Sequence, residues 1–532
     1  MSVDGPFFVD PHAPESEGVD YLGLRAINLS MMDTLLPGLN NVVSMIRPFS
    51  LMSWVAWRFE QAVVGRATVS TKDFEVFKQK VETAFVYSQV QAGDADGLPG
   101  RQQRIPAGDT IRFQFSNFQR TGSILDAALY GPAIKNLSGL GFLRAAEFGF
   151  VKATPAGAKL ALALDGLLRS SLSNEQYDFI SSLISIDAPR TLIDERFYQA
   201  WSISAVSLDE QAAFRERLFQ PEAIGQRHSH ARRSAVLLYA CEALRELGRP
   251  ATVVELRRSM ASTFPARLDE HVQRQTLRQV QAHWRLLQVR QAQRLALEAL
   301  FGWVERCLLT GRASSVDDLV QLAMLALCVE AVSVADKTYM GQQMESLRAT
   351  AGGLDELFAA GLSNPESFDI FGLSDALEAA AKGRQPSEDA VAGAVKLLLL
   401  CARYAQAFQA DPVTKDEVGA GARFRLPLGA WHDFVKNHEQ QPISWVLHKV
   451  FGSYIVSQHL GVAAARARDE KSRMRLSIED SGLTSLLLST AKALTPKRTP
   501  DRLGSALALM AECGLLQETP RTSAVDALAY SI

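Results

Sequence analysis

Residues 123–165 read SILDAALYGPAIKNLSGLGFLRAAEFGFVKATPAGAKLALALD. Ile124-Leu125-Asp126-Ala127-Ala128-Leu129 has helical apolar spacing, Gly131-Pro132 breaks it, and a second short helix is expected over 133–140, stopped by Gly141. Phe142-Leu143-Arg144-Ala145 and Phe150-Val151-Lys152-Ala153 flank a glycine-containing loop and read as a β-hairpin. Thr154 then offers a side-chain oxygen as N-cap. Pro155 fits the first helical position, where its missing N–H costs nothing, so a helix should run toward Leu168.

Two helices, a turn, a hairpin and a following helix together resemble a winged helix-turn-helix. In that fold the 133–140 helix would enter a DNA groove, with Lys135 and Asn136 reaching bases or phosphates. Arg144 and Lys152 would touch the backbone from the wing. Packing against another protein is the competing use of the same surface, because four such residues neutralise little phosphate charge. A fainter echo lies near the C-terminus. There Thr499-Pro500-Asp501 reads as N-cap, proline and first-turn acid before a helix over 502–511, stopped by Gly514 and preceded by a helix over 483–494.

Working outward, the 532-residue chain is 47% hydrophobic and 21% charged, the balance of a globular protein with room for about two to four cores. The pattern is mainly α and multi-domain. The expected divisions are a tail over 1–20, a helical region with the winged segment over 21–170, a domain with a long basic helix over 171–312, an acidic domain over 313–410 and a C-terminal domain over 411–532. Trp54 and Trp57, three apart, are expected to anchor a core from one helix face. Cys241, Cys307, Cys328, Cys401 and Cys513 show no C-x-x-C spacing and read as buried free thiols of a reducing, cytoplasmic compartment. The apolar stretch 319–335 is interrupted by Gln321 and Glu330 and reads as a core helix, so no membrane partner is expected.

The net charge of −2 hides a strong asymmetry. Residues 214–312 hold 17 arginines, no lysine and 9 acids, whereas residues 317–384 hold 11 acids and 4 bases. Residues 271–297 contain five arginines and no acid and read as one helix, roughly 40 Å long. Leu277, Val280, Trp284, Leu287 and Leu295 form its apolar stripe. Arg274, Arg278 and Arg285 fall within a sector of roughly 40° away from that stripe, a phosphate rail that would hold duplex DNA. The alternative is that the arginines pair with the acidic block in a salt-bridged seam. A second cluster, Arg466, Arg468, Lys471, Arg473 and Arg475, reads as a solvated face.

Signatures of catalysis are missing. There is no phosphate-loop motif, no G-x-G-x-x-G, no G-x-S-x-G elbow, no H-E-x-x-H, and no glutamate followed two residues later by lysine. His432, His438, His448 and His459 have no metal-ligand spacing, so neither metal nor cofactor is expected. His228 and His230, beside Arg227, Arg232 and Arg233, suit anion binding better than catalysis.

Leu35-Leu36-Pro37-Gly38-Leu39-Asn40-Asn41-Val42 with Arg47-Pro48-Phe49, together with the winged segment, resembles uncharacterised proteins found among bacterial antiviral defence genes. That resemblance implies a part in restricting foreign DNA, as a sensing or scaffold subunit beside a separate ATPase or nuclease. It carries no catalytic residues. The leading expectation is a non-catalytic DNA-binding or scaffold subunit of a defence complex. A kleisin-type adaptor gripping partner proteins and a winged-helix transcriptional regulator are the alternatives, and a nuclease site assembled from distant residues is the remaining one.

Overall fold

The computed structural model describes residues 20–64, 70–96, 98, 110–111, 123–125, 129–135, 139–146, 150–183, 188–350, 352–419, 425–465, 474–519 and 528–532. Helix accounts for 66% and strand for 5%, so the chain is mainly α. Many helices start where a serine and an acid or amide three residues on satisfy each other's backbone N–H groups, as at Ser70/Asp73, Ser173/Gln176, Ser207/Glu210 and Ser315/Asp318.

The chain forms two compact units. The first comprises Met32–Ser259, Pro265–Val280 and Pro500–Ile532. Its helix Arg47–Val63 lies along Pro155–Ser171, and Phe49 packs edge-on against Tyr130, Phe142 and Phe214 with ring centroids 5.1–5.9 Å apart. Trp54 is fully buried and donates its indole N–H to Asp165 at 2.9 Å, while Trp57 is half-buried. Burial pushes the Asp165 carboxyl up, but hydrogen bonds from Tyr177, Arg169 and Trp54 outweigh it and hold that group below its ordinary range.

The hairpin and the helix after it form where the sequence places them. Leu143–Ala145 pairs antiparallel with Val151–Ala153, and Thr154 caps Pro155–Ser171 by accepting from the Gly157 N–H at 3.2 Å. The helix expected over 133–140 does not form. It is a single turn, Gly131–Ile134, after which Lys135 is extended and bridges Leu143. The Leu140 N–H returns to the Ala133 carbonyl at 2.6 Å, and a Cβ on Gly139 would lie 2.3 Å from that same oxygen.

The Leu36-Pro37-Gly38-Leu39-Asn40-Asn41 break is a junction made of backbone contacts. Asn40 donates to the Leu129 carbonyl at 2.6 Å and accepts from the Val42 and Val43 N–H groups, and Asn41 accepts from the Arg502 N–H at 3.1 Å. Gly38, at φ +81°, backs onto Gly139 so closely that a Cβ would sit 2.8 Å from the Gly139 carbonyl carbon.

Elsewhere in this unit, helix Ser229–Leu247 leads into strand Ala251–Thr252 and helix Val253–Ser262. Two hundred and forty residues later come helix Leu503–Glu512 and strands Gln517–Thr519 and Ala529–Ser531. The last strand is the middle one of a three-stranded sheet: Ala251 pairs with Tyr530 on one side and Glu518 with Tyr530 on the other. The side chain of Arg257 grips that of Asp501 with two hydrogen bonds, and Asp501 is 2% exposed. The N-cap is not Thr499 as expected. The residue before Leu503 is Arg502, in the left-handed region at φ +68°, held by Asp33 and Asn41.

The second unit comprises Met1–Met31, Met260–Phe264 and Gln281–Thr499. Its core includes the buried residues of helix Arg274–Leu309 from Gln281 onward and helix Glu388–Ala410, against which Leu428–His438 packs through the Trp431 indole N–H and the Leu398 carbonyl, 2.8 Å apart. The expected helix over 483–494 is instead a strand, Gly482–Ser485, paired with Leu476–Glu479, then a short 3-10 turn, Thr490–Lys492. Gly482, at φ +114° and against the Ser314 carbonyl, permits the tight return. The apolar stretch 319–335 is broken: Val316–Ala326 ends, Cys328 and Val332 take positive φ, and a new helix starts at Val334. Cys328 is consequently exposed, unlike the other four cysteines. Among the described residues, Glu388–Ala410 is the one helix long and apolar enough to cross a membrane, and 78% of its apolar window is buried in the protein.

Candidate functional site

The basic helix runs from Arg274 to Leu309, beginning later and ending later than expected, and its stripe of Leu277, Val280, Trp284, Leu287 and Leu295 is buried. The three-arginine rail does not survive. Arg274 and Arg278 are accessible and share Asp269 at 3.2 and 3.0 Å. Arg285 is 5% exposed, with its guanidinium on the Ala261 carbonyl and the Asp355 carboxylate, each at 2.6 Å, and over the Phe358 ring. A helical wheel gives an angle, and it does not give what lies opposite. Further along, Arg290 donates to the Arg425 carbonyl and Arg294 to Glu298; burial, with Arg294 adding to it, pushes Arg290 down to about 10.

Helix ends account for four arginines of this block, Arg215, Arg233, Arg285 and Arg306. The last four carbonyls of a helix lack intrahelical partners and carry its negative end, and a planar fork of donors can take two or more of them at once. Arg233 takes the Arg217 and Leu218 carbonyls at the end of Leu208–Leu218, and Arg215 takes the Cys513 carbonyl at the end of Leu503–Glu512. Arg306 takes the Ala381 and Gly383 carbonyls after Ile370–Ala380, and Arg285 takes Ala261 near the end of Val253–Ser262. The acidic block supplies some partners, Asp355 to Arg285 and Asp375 and Glu378 to Arg498. Backbone carbonyls supply as many.

On the hairpin, Arg144 and Lys152 are directly opposite each other, which brings two cations onto one face. Arg144 is exposed and has no ion-pair partner among the described residues, whereas Lys152 has Glu60 at 3.6 Å. Lys135 is exposed but sits on extended chain rather than on a groove helix. Asn136 lies outside the described residues, as do Arg466, Arg468, Lys471 and Arg473. Arg475 is no solvated residue: it pairs with Glu305, stacks on Tyr21 and is 9% exposed.

The late histidines are used singly. His432 contacts the Ala402 carbonyl, His438 the Phe434 carbonyl, His448 the Asp317 carboxylate, and His459 the Tyr21 carbonyl and the Arg475 N–H. Among the described residues no group of three or more His, Cys, Asp or Glu could hold a metal ion. His228 caps Ser229–Leu247 by accepting from the Ala231 N–H, and His230 lies between Arg217 and Arg233. Sequence reading had grouped the two histidines with Arg233 but missed Arg217, which is contributed by another helix.

No protein-family model, no curated protein and no solved structure matches this chain.

Proposed function

We propose that this chain is a non-catalytic scaffold subunit of a DNA-processing assembly, binding partner proteins through winged-helix modules. The observation that carries the reading is the interrupted module. A helix, strand and helix at 229–262 are completed by a helix and hairpin at 503–531, with the last strand paired to the first, which is the strand order of a winged helix. Its groove-facing helix would be Leu503–Glu512, LGSALALMAE, which has no cation and whose Leu503, Ala506, Leu507, Leu509 and Met510 are buried. A helix without a cation does not suit a phosphate backbone, and half-buried Gly504, Ser505, Ala508 and Ala511 are the small positions it leaves to meet a protein partner. The resemblance of residues 35–49 to uncharacterised proteins found among bacterial antiviral defence genes supports an assembly of that kind. Buried thiols at Cys241, Cys307, Cys401 and Cys513 suit the cytoplasm.

A second reading, direct duplex DNA contact, is favoured by the paired and accessible Arg144 and Lys152. One experiment separates the two. The chain is co-expressed with the products of its neighbouring genes and fractionated by size, and its affinity for duplex DNA is followed by fluorescence anisotropy across a salt series. The scaffold reading expects co-elution with a partner and no salt-sensitive DNA binding by the chain alone. Elution alone, with binding whose salt slope falls by about two units in Arg144→Ala/Lys152→Ala, would replace it with the second reading.

A further inference from the structure

We propose that Arg217, His230 and Arg233, at the start of the Ser229–Leu247 helix, form a binding site for a dianionic phosphate group, either inorganic phosphate or a monoester. The first argument is a surplus of donors. Arg217 Nη2 lies 2.9 Å from His230 Nε2, and Arg233 Nη2 lies 2.6 Å from His230 Nδ1. A neutral imidazole has one lone pair and one N–H, so one guanidinium always faces another donor. Carbonyls of Pro37, Arg217 and Leu218 accept from Arg233 and that of Leu140 from Arg217, but among the described residues the cluster holds no anionic acceptor.

The second argument is charge. Arg47, Arg290, Arg294, Arg306 and Arg403 are buried or half-buried, and each stands in the field of at least one carboxylate. Arg217 and Arg233 are the exception. Among the described residues no acid acts on either of them or on His230, whose charged neighbours are Arg233, Arg217 and His228. Glu216, next in sequence, is engaged by Lys159. The carbonyls at the end of Leu208–Leu218 compensate Arg233 in part, but the positive end of the 19-residue Ser229–Leu247 helix adds to the excess. Two permanent guanidinium charges match a dianion and leave a phosphodiester one charge short.

The third argument is access on a fixed frame. Arg233 is 0% exposed and locked by the Pro37, Arg217 and Leu218 carbonyls, so it cannot swing out to solvent. Arg217 and His230 are half-buried, and exposed Arg227 and Arg232 stand nearby in sequence. The Nη1 group of Arg217 has no partner among the described residues and is the donor an incoming oxygen would meet first. Burial, with Arg233 and Arg217 adding to it, pushes His230 down to about 4, which makes the ring a reporter: a bound dianion favours its protonated form.

The test is an NMR titration of the His230 ring in the full chain, with inorganic phosphate, a nucleoside 5′-monophosphate and a blunt duplex with 5′-hydroxyl ends, each against chloride at equal ionic strength. Phosphate or the monophosphate is expected to raise the His230 pKa by about one unit, equivalent to about tenfold tighter binding to the protonated ring. Whichever acts at lower concentration identifies the source. Arg217→Ala should weaken phosphate binding at least about tenfold by calorimetry, with Arg217→Lys between it and the wild type, because a point charge replaces the fork. Arg274→Ala should bind as the wild type does. A resonance unmoved by both phosphate ligands overturns the site, and an equal shift with the duplex overturns its preference for a dianion. This site does not rest on the scaffold reading, since partner co-elution can fail while phosphate still moves His230.

Discussion

Two regions of this chain pair a helix with a hairpin, and they are laid out differently along it. At 131–171 every part is contiguous, from the Gly131–Ile134 turn through the hairpin to Pro155–Ser171. At 229–262 and 503–531 the parts are separated, and the halves are joined by a sheet and a buried ion pair. The contiguous region is stabilised by local turns and caps. The interrupted one depends on long-range contacts that cost more chain entropy to close.

The largest effect should come from unclamping the interrupted region. Arg257→Ala removes the ion-pair partner of the buried Asp501 carboxylate and should cost about 3–5 kcal/mol in urea unfolding followed by tryptophan fluorescence. A loss under about 1 kcal/mol would mean that the sheet alone joins the halves. In the contiguous region, Gly157→Ala puts a Cβ 2.0 Å from the Phe142 carbonyl oxygen and should cost about 1–3 kcal/mol in the same assay. An unchanged midpoint would show that the cap and hairpin can separate freely.

A pH dependence distinguishes the regions next. Glu512 ends the helix of the interrupted region, and burial pushes its carboxyl from 4.5 up to about 8 against the Ile46 N–H and Arg47, which pull it down. Between those values the native state holds a proton that the unfolded state has released, so stability falls as pH rises across the window. Glu512→Gln should flatten that fall in unfolding curves taken from pH 4.5 to pH 8, and parallel curves for variant and wild type would remove Glu512 as its source. The smallest effect belongs to the hairpin. Arg144→Thr relieves the like-charge pair with Lys152 and should stabilise by about 0.2–1 kcal/mol, whereas destabilisation would indicate a partner for Arg144 that the pairing does not reveal.

What was legible in the sequence follows the same division. Thr154-Pro155, the two strands, Gly141 at φ +79° and the apolar stripe of the basic helix are local signals, and each has its place in the structure. The helix over 133–140 misled because periodicity cannot register that Gly38 and Gly139 meet backbone to backbone. Arg285 misled for a related reason, since its acceptors, a carbonyl 24 residues upstream and a carboxylate 70 residues downstream, have no signature in the helix that bears it. Thr499-Pro500-Asp501 looked like an N-cap, yet Arg294 takes the Thr499 hydroxyl and Arg257 the Asp501 carboxylate, leaving the turn to Arg502. The candidate anion site was half legible, as His228, His230 and Arg233 are neighbours in the chain while Arg217 is brought in by a separate helix.

The interruption also sets an order of events during synthesis. Ala251–Thr252 leaves the ribosome without the strand it pairs with, and Ala529–Ser531 is made more than 270 residues later. At about 5–20 residues per second that delay is on the order of 14–55 s, long compared with the folding of the helices in between. For that interval the first half of the sheet is an open edge in a growing chain, exposed to whatever waits near the exit tunnel.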